Sequence, residues 1–214
     1  RTPLTRMKLA LAMAEESPET RELLGDIAEM ETMLGDYLAF ARGEEGESPI
    51  AVDAAAMVED IARDMRRLGT RLRVVIQSGA GNSATLTVRP VALRRAIVNL
   101  VDNARRYGSE VVVGLRLSRR LAEIAVEDDG PGIAPGEREE ALRPFARLDP
   151  ARARPVTGEG RAGGVSTVAG PGMGGGTGLG LAVALDIARS HGGGLELDES
   201  PSLGGLRATI RLPR

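Results

Sequence analysis

The chain contains no cysteine, which excludes disulfides, thiolate zinc sites and a cysteine nucleophile, and fits a reducing compartment. Lysine and histidine are almost as scarce. Lys8 is the only lysine, so neither a Walker A loop ending Gly-Lys-Ser/Thr nor the strand lysine of a protein kinase can stand in the second half of the chain. His191 is the only histidine, which removes HExxH zinc sites and, unless this one residue serves, Ser-His-Asp triads. Its context, RSHGGG at the end of a helical pattern, reads as a partly exposed helix C-terminus. No run of about eighteen apolar residues occurs, and no signal-peptide pattern, so the sequence reads as that of a soluble chain. With a formal net charge of −2 there is no whole-molecule field to attract nucleic acid, and no nucleic-acid partner is expected.

Glycine, by contrast, is concentrated. Eleven of the twenty-three residues from 158 to 180 are glycine, and the run closes with GGGTGLGLAVALDIA, where a helix-length apolar pattern begins. A glycine-rich loop entering a helix offers a phosphate its backbone N–H groups and the positive end of the helix dipole. The matches of GEGRAG and GPGMGG to GxGxxG carry little, since neither follows a strand.

At 214 residues and 42% apolar content, the chain has material for one main domain and a small second module. Residues 1–42 read as two helices. Leu4, Met7, Leu11 and Ala14 form one stripe, and Leu23, Ile27, Met30, Leu34, Tyr37 and Ala41 another. Ser17 reads as an N-cap with Pro18 at the first helical position. The narrow seam of such a hairpin calls for a second copy, as in a dimeric four-helix bundle, or for packing on its own domain. The polar segment RGEEGESP sets the boundary between domains 1–46 and 47–214. Beyond it, helices are predicted at 52–68, 90–107 and 178–190. Strands are predicted at 71–76, 84–88, 110–117, 121–127, 194–197 and 206–212. This mixture, with hairpin-like strand pairs, implies an α+β fold, a two-layer α/β sandwich rather than a doubly wound parallel sheet. Residues 149–176 show no periodicity and read as a functional lid or a disordered stretch.

Two further segments carry chemistry. In NLVDNARRYG, Asn99 and Asn103 stand four apart on one helix face, where two amide oxygens suit a hard cation such as Mg²⁺ that also holds phosphate oxygens. Arg106 and Tyr107 follow, a cation for phosphate and a ring for a base. A plain polar surface helix has the same look. After the strand LAEIAVE comes DDGPGIAPG, where Asp128, Gly130 and Gly132 spell DxGxG. A carboxylate at a strand end can accept the amine of adenine while glycines let the base approach. A tight acidic turn is the other reading; a calcium loop lacks its further oxygen ligands.

In this order, the asparagine helix, the DxGxG turn, RPFARLD and GTGLGLA resemble the ATP-binding catalytic domain of sensor histidine kinases. These belong to the GHKL superfamily with the mismatch-repair, type II topoisomerase and heat-shock chaperone ATPases, and the resemblance implies their Bergerat-type fold. The opening RTPLTRMKLALAMAEE resembles the dimerisation and phosphoacceptor helix of the same kinases, whose motif runs His-Glu/Asp-Leu-Arg-Thr-Pro-Leu. The resemblance implies ATP and Mg²⁺ as cofactors, with Asn103 the magnesium ligand and Asn99 its partner. It gives Arg106 to the phosphates, Tyr107 to adenine stacking and Asp128, with Gly130, Gly132 and Ile133, to the adenine turn. Phe145 falls where a ring anchors the lid, and Arg147 where an arginine faces the γ-phosphate. Gly176, Thr177, Gly178, Leu179, Gly180 and Leu181 match the loop under the phosphates, and Thr2 a threonine that positions water in partner dephosphorylation. The pattern puts the phosphorylated histidine three residues before Arg1. The lid departs from the family by a Gly/Ala/Pro-rich insert at residues 155–174.

The function implied is the catalytic core of a sensor histidine kinase, the cytoplasmic portion of an inner-membrane sensor. It would act as a homodimer through the hairpin and pass phosphate to a response-regulator receiver domain. Two other readings stand beside it: a non-catalytic ATP-binding dimerisation module, or a GHKL protein-serine kinase or ATPase, against which the RTPLTR hairpin argues.

Overall fold

The computed structural model describes residues 2–13, 17–41, 47–78, 84–146 and 178–214. Arg147, Gly176, Thr177 and the insert at 155–174 lie outside the described residues. The helices at the N-terminus and the α/β part belong to two separate compact units.

In the first unit, α1 (Thr2–Ala12) and α2 (Pro18–Ala41) form the expected hairpin. Ser17 caps α2 as its spacing predicts, its Oγ accepting the N–H of Thr20 at 3.1 Å. Lys8 Nζ meets Glu31 Oε2 across the two helices at 3.0 Å. Ile27 is buried, whereas Met7, Leu23 and Met30 of the predicted stripes are about half exposed or more, as are Leu9 and Met13 beside them.

In the second unit, β2 (Leu72–Ser78), β4 (Val111–Leu117), β5 (Leu121–Asp128), β7 (Leu206–Pro213) and β6 (Gly194–Glu199) hydrogen-bond in that spatial order. Only β2 and β4 are parallel. The other neighbours are antiparallel, so the sheet is mixed rather than doubly wound. A separate two-stranded ribbon joins β1 (Ile50–Asp53) to β3 (Thr85–Val88). Helices α3 (Ala54–Arg67), α4 (Pro90–Tyr107) and α6 (Gly180–Ser190) pack on one face of the large sheet. Their apolar stripes meet the alternate strand residues Val113, Leu115, Ile124, Val126, Ile210 and Leu212, all buried. The opposite face carries charge. Arg116 of β4, Glu123 of β5, Arg211 of β7 and Glu196 of β6 form a row of cross-strand ion pairs. The Arg116 guanidinium hydrogen-bonded to Glu123 holds that carboxyl below its ordinary value. One apolar and one charged face make this a two-layer sandwich.

Punctuation explains the helices. Pro90 opens α4 and Gly108 ends it, with the Gly108 N–H closing on Ala104 O at 2.8 Å. The Glu47 carboxylate caps the α4 N-terminus, accepting the N–H groups of Val91 at 2.7 Å and Ala92 at 3.1 Å. Asp53 caps α3 by accepting from Ala55 and Ala56 at 2.9 and 3.0 Å. The helix predicted from 52 therefore starts later, because residues 50–53 are paired as β1. A single turn of 3₁₀-helix (Pro135–Glu137) and the short α5 (Arg138–Ala141) occupy a stretch for which the sequence predicts no element.

Candidate functional site

Helix α4 is the wall on which the candidate residues converge. Asn99 and Asn103 are half-buried, and among the described residues neither amide has a hydrogen-bond partner. Nearby Asp102 is ion-paired to Arg105 at 2.8 Å. Arg106 is exposed with no partner among the described residues, and Tyr107 is 59% exposed, a ring with a free face at the end of the helix.

The DxGxG turn docks on that end. Asp128, the last residue of β5, is 2% exposed. Its Oδ1 accepts two backbone donors, Gly130 N–H at 2.9 Å and Leu206 N–H at 3.1 Å. Oδ2 receives no hydrogen bond among the described residues. Burial pushes the carboxyl upward from its ordinary value, against the pull of the Leu206 and Gly130 N–H groups, and Asp129 adds to the rise. Asp129 joins the turn to the connection that follows α4. Its Oδ1 accepts Ser109 N–H at 2.6 Å and Glu110 N–H at 2.9 Å, and its Oδ2 accepts the Ser109 hydroxyl at 2.6 Å. These bonds hold the Asp129 carboxyl below its ordinary value, the Glu110 N–H contributing most. Backbone proximity is equally tight at Gly130, where a Cβ would lie 2.7 Å from Tyr107 O.

Helix α6 meets α4 eight residues earlier. A Cβ at Gly180 would stand in van der Waals contact with Asn99 O, at 3.6 Å. Leu179, buried, stands at the N-cap without a side-chain cap of its own, and among the described residues no side chain accepts the first N–H groups of α6. From Asn99 to Tyr107 the helix rises about 12 Å, a span that one nucleotide can bridge with its base at one end and its phosphates at the other. Gly132, at φ 71°, and half-buried Ile133 continue the turn, and the Ile133 carbonyl accepts from Arg138 Nε at 3.3 Å. Leu181 is half-buried in the first turn of α6.

Phe145 takes a left-handed backbone, φ 64°, rare for an aromatic residue, and is 57% exposed. Its N–H donates to Gly178 O at 3.0 Å. Gly178 is itself at φ 66°, and a Cβ there would meet Ala146 O at 2.7 Å. Residues 145 and 178 are thus clasped backbone to backbone. Thr2 opens α1 in the separate hairpin unit.

His191 has the structural place expected of it. Its Nδ1 lies 2.7 Å from Ile187 O, and its Nε2 accepts the N–H of Arg89 at 3.0 Å, which ties the end of α6 to the start of α4.

Sequence reasoning missed Gly205. It is buried, donates its N–H to Asp128 O at 3.1 Å, and leaves only 2.5 Å between a Cβ position and Asp128 Oδ1. The LGG of the β6–β7 connection reads as an ordinary turn, and nothing local marks it as the seat of a carboxylate 77 residues away.

Among the described residues no group of three or more His, Cys, Asp or Glu side chains is arranged to hold a metal ion. The amides of Asn99 and Asn103, without partners among the described residues, fit a magnesium ion whose other ligands are phosphate oxygens and water, and do not fit a metal caged by protein carboxylates. No helix among the described residues is long and apolar enough to cross a membrane.

Residues 88–214 match the family of histidine kinase-, DNA gyrase B-, and HSP90-like ATPases. Over its whole length the chain is 32% identical to the sensor histidine kinase CpxA of Escherichia coli K12, of which it covers 44%. It is 33% identical to the sensor protein RstB of the same strain, covering 46%. The chain spans under half the length of these curated relatives. Among solved structures, the ATP-binding domain of PrrB from Mycobacterium tuberculosis is 26% identical, with a TM-score of 0.51 over 78% of this chain and 97% of that one.

Proposed function

The chain belongs to the histidine kinase-, DNA gyrase B-, and HSP90-like ATPase family, and we propose that it works as the Mg-ATP-binding kinase core of a sensor histidine kinase. The observation that carries this is Asp128 on a turn packed at the end of α4: a buried carboxylate with one oxygen pinned and, among the described residues, the other open, while Asn99 and Asn103 of that helix have no partner among the described residues. Asp128 Oδ2 accepts the exocyclic amine of adenine, and Tyr107 stacks on the base. Arg106 is the cation assigned to the phosphates, which the N–H groups at the start of α6 receive along the helix dipole. Asn103, with Asn99 beside it, holds magnesium, which supplies neutralisation of phosphate charge when bound. Arg147, Gly176 and Thr177 complete the phosphate end in this reading, Arg147 facing the γ-phosphate. Catalysis is then positioning and charge stabilisation, with no covalent step on these residues.

The acceptor is a histidine on a dimerisation helix, and the phosphate passes on to an aspartate of a response-regulator receiver domain. The exposed Met7, Leu23 and Met30 of the hairpin support a homodimer closed as a four-helix bundle. The parent protein is an inner-membrane sensor with this part in the cytoplasm, and Thr2 positions water when the kinase dephosphorylates its partner. The RTPLTR opening of the sequence favours this reading over a serine kinase or a free ATPase.

Phosphoryl transfer tests it. Incubated with labelled ATP and magnesium, the 214-residue chain should stay unlabelled, because its sole histidine is held at both ring nitrogens between α6 and α4. A supplied helix carrying the His-Glu/Asp-Leu-Arg-Thr-Pro-Leu motif should gain acid-labile phosphate. Acid-stable label on serine, or label on His191, would overturn the assignment.

A further inference from the structure

Glu127 has no part in the nucleotide reading, yet it is buried, at 8% exposed. A carboxylate is seldom buried without partners. Alternation along β5 turns its side chain to the sheet face opposite Asp128. There its Oε2 accepts the hydroxyls of Ser200 at 2.6 Å and Ser202 at 2.7 Å, and Arg207 stands 3.9 Å from Oε1. Both serines belong to the connection between β6 and β7.

That connection is closed on itself. Ser200, 2% exposed, accepts the Leu203 N–H on its Oγ at 3.0 Å. It also donates its own N–H to Gly205 O at 2.7 Å, and accepts the Gly204 N–H on its carbonyl at 2.9 Å. The far end of the same turn delivers the Gly205 N–H to Asp128 O and the Leu206 N–H to Asp128 Oδ1, both at 3.1 Å. Two successive residues of one strand therefore grip one turn from its two sides. Glu127 holds its serine hydroxyls, and Asp128 is held by its backbone donors.

We infer that Glu127 is a positioning residue for base selection: by fixing Ser200 and Ser202 it places the Leu206 N–H that aims the Asp128 carboxylate. The inference rests on the reading that Asp128 accepts the amine of adenine. Were Glu127 only a stabilising group, its loss would weaken the folded state and leave the choice of base untouched. As a positioning residue it affects the choice itself. With the turn released, Oδ1 loses a fixed donor, the carboxylate rotates, and the amine of ATP meets it off-axis. Inosine triphosphate, which carries a carbonyl in place of that amine, never gained from the alignment.

The experiment is calorimetric titration of the full chain with ATP and with inosine triphosphate, both with magnesium, in Glu127→Ala, Glu127→Gln, Ser200→Ala and Asp128→Asn. Each variant is first checked for cooperative thermal unfolding. The preference for ATP should fall about tenfold in Glu127→Ala and Ser200→Ala, the loss of one well-aimed hydrogen bond to a charged group. Affinity for inosine triphosphate should hardly move. Glu127→Gln, whose amide oxygen still accepts both hydroxyls, should stay close to the parent. Folded Glu127→Ala and Ser200→Ala proteins that keep the parent's preference would overturn the inference, and if Glu127→Ala does not fold, Ser200→Ala decides alone. Asp128→Asn separates the levels. If it lowers the preference while the other variants do not, only the positioning role falls; if it too leaves the preference unchanged, the adenine assignment falls and takes this role with it.

Discussion

Replacing Asp128 with asparagine should weaken ATP binding by roughly 1.5–3 kcal/mol, about ten- to a hundredfold or more, while leaving the fold intact. The asymmetry of its hydrogen bonds is the reason. An asparagine oxygen can take over both backbone donors now on Oδ1, those of Gly130 and Leu206. The amide nitrogen then replaces Oδ2, and a donor confronts the adenine amine where an acceptor stood. Asp128 is also raised from its ordinary value by burial, and the two consequences of that shift run in opposite senses. The ionised form accepts the amine, so ATP affinity should drop as pH falls through the raised value, sooner than with an ordinary aspartate, and the asparagine variant should lack this dependence. For stability, the folded state binds the proton more tightly than the unfolded chain does. The contribution of this group is fully present below the ordinary carboxylate value and is lost as pH rises through the folded one. A neutral asparagine should thus cost the fold little at pH 7. Calorimetric titration across pH and a thermal melt check both halves; an asparagine variant with the parent's ATP affinity contradicts the adenine assignment.

Asn103→Ala should remove the dependence of nucleotide affinity on magnesium. The amide of Asn103 is half-buried with no partner among the described residues, and truncating it deletes the group that ties the metal to the protein. Affinity for ATP in the presence of a chelator should be similar in parent and variant, and addition of magnesium should tighten only the parent. The position is on the rim of α4, whose core contacts come from Ile97, Leu100, Val101 and Ala104, so the helix itself should be undisturbed. A variant that keeps the whole magnesium effect would mean that the ion is held elsewhere.

The part of the site that lies along one helix was legible in the sequence. Pro90 and Gly108 punctuate α4 at both ends, and the four-residue spacing of Asn99 and Asn103 puts both amides on one face whatever the helix packs against. The strand ending in Asp128 was legible for a similar reason, an apolar alternation stopped by acidic and glycine residues. What could not be read was anything set by pairing across the chain. Glu127 looks like the solvent-facing end of an alternating strand, and only the fold shows it covered by serines more than 70 residues away. Glu47 sits in a polar linker pattern, and its capping of α4 depends on a tertiary approach that no local signal encodes. Strand β1 is four residues long and exists only because β3 pairs with it, while its last residue, Asp53, carries a capping preference that reads as helix. Phe145 shows the converse case, a residue whose type argues against the left-handed backbone that its bond to Gly178 imposes.

Amide hydrogen exchange of the chain with and without a non-hydrolysable ATP analogue, in magnesium, tests the nucleotide site most directly, because it maps the ligand without presuming any residue's role. Exchange should slow together in three separated peptides, those covering residues 99–107, 128–133 and 178–183. Saturable binding with no protection in these three segments, or with protection confined to the helical hairpin, would contradict the placement of ATP between α4, the DxGxG turn and α6.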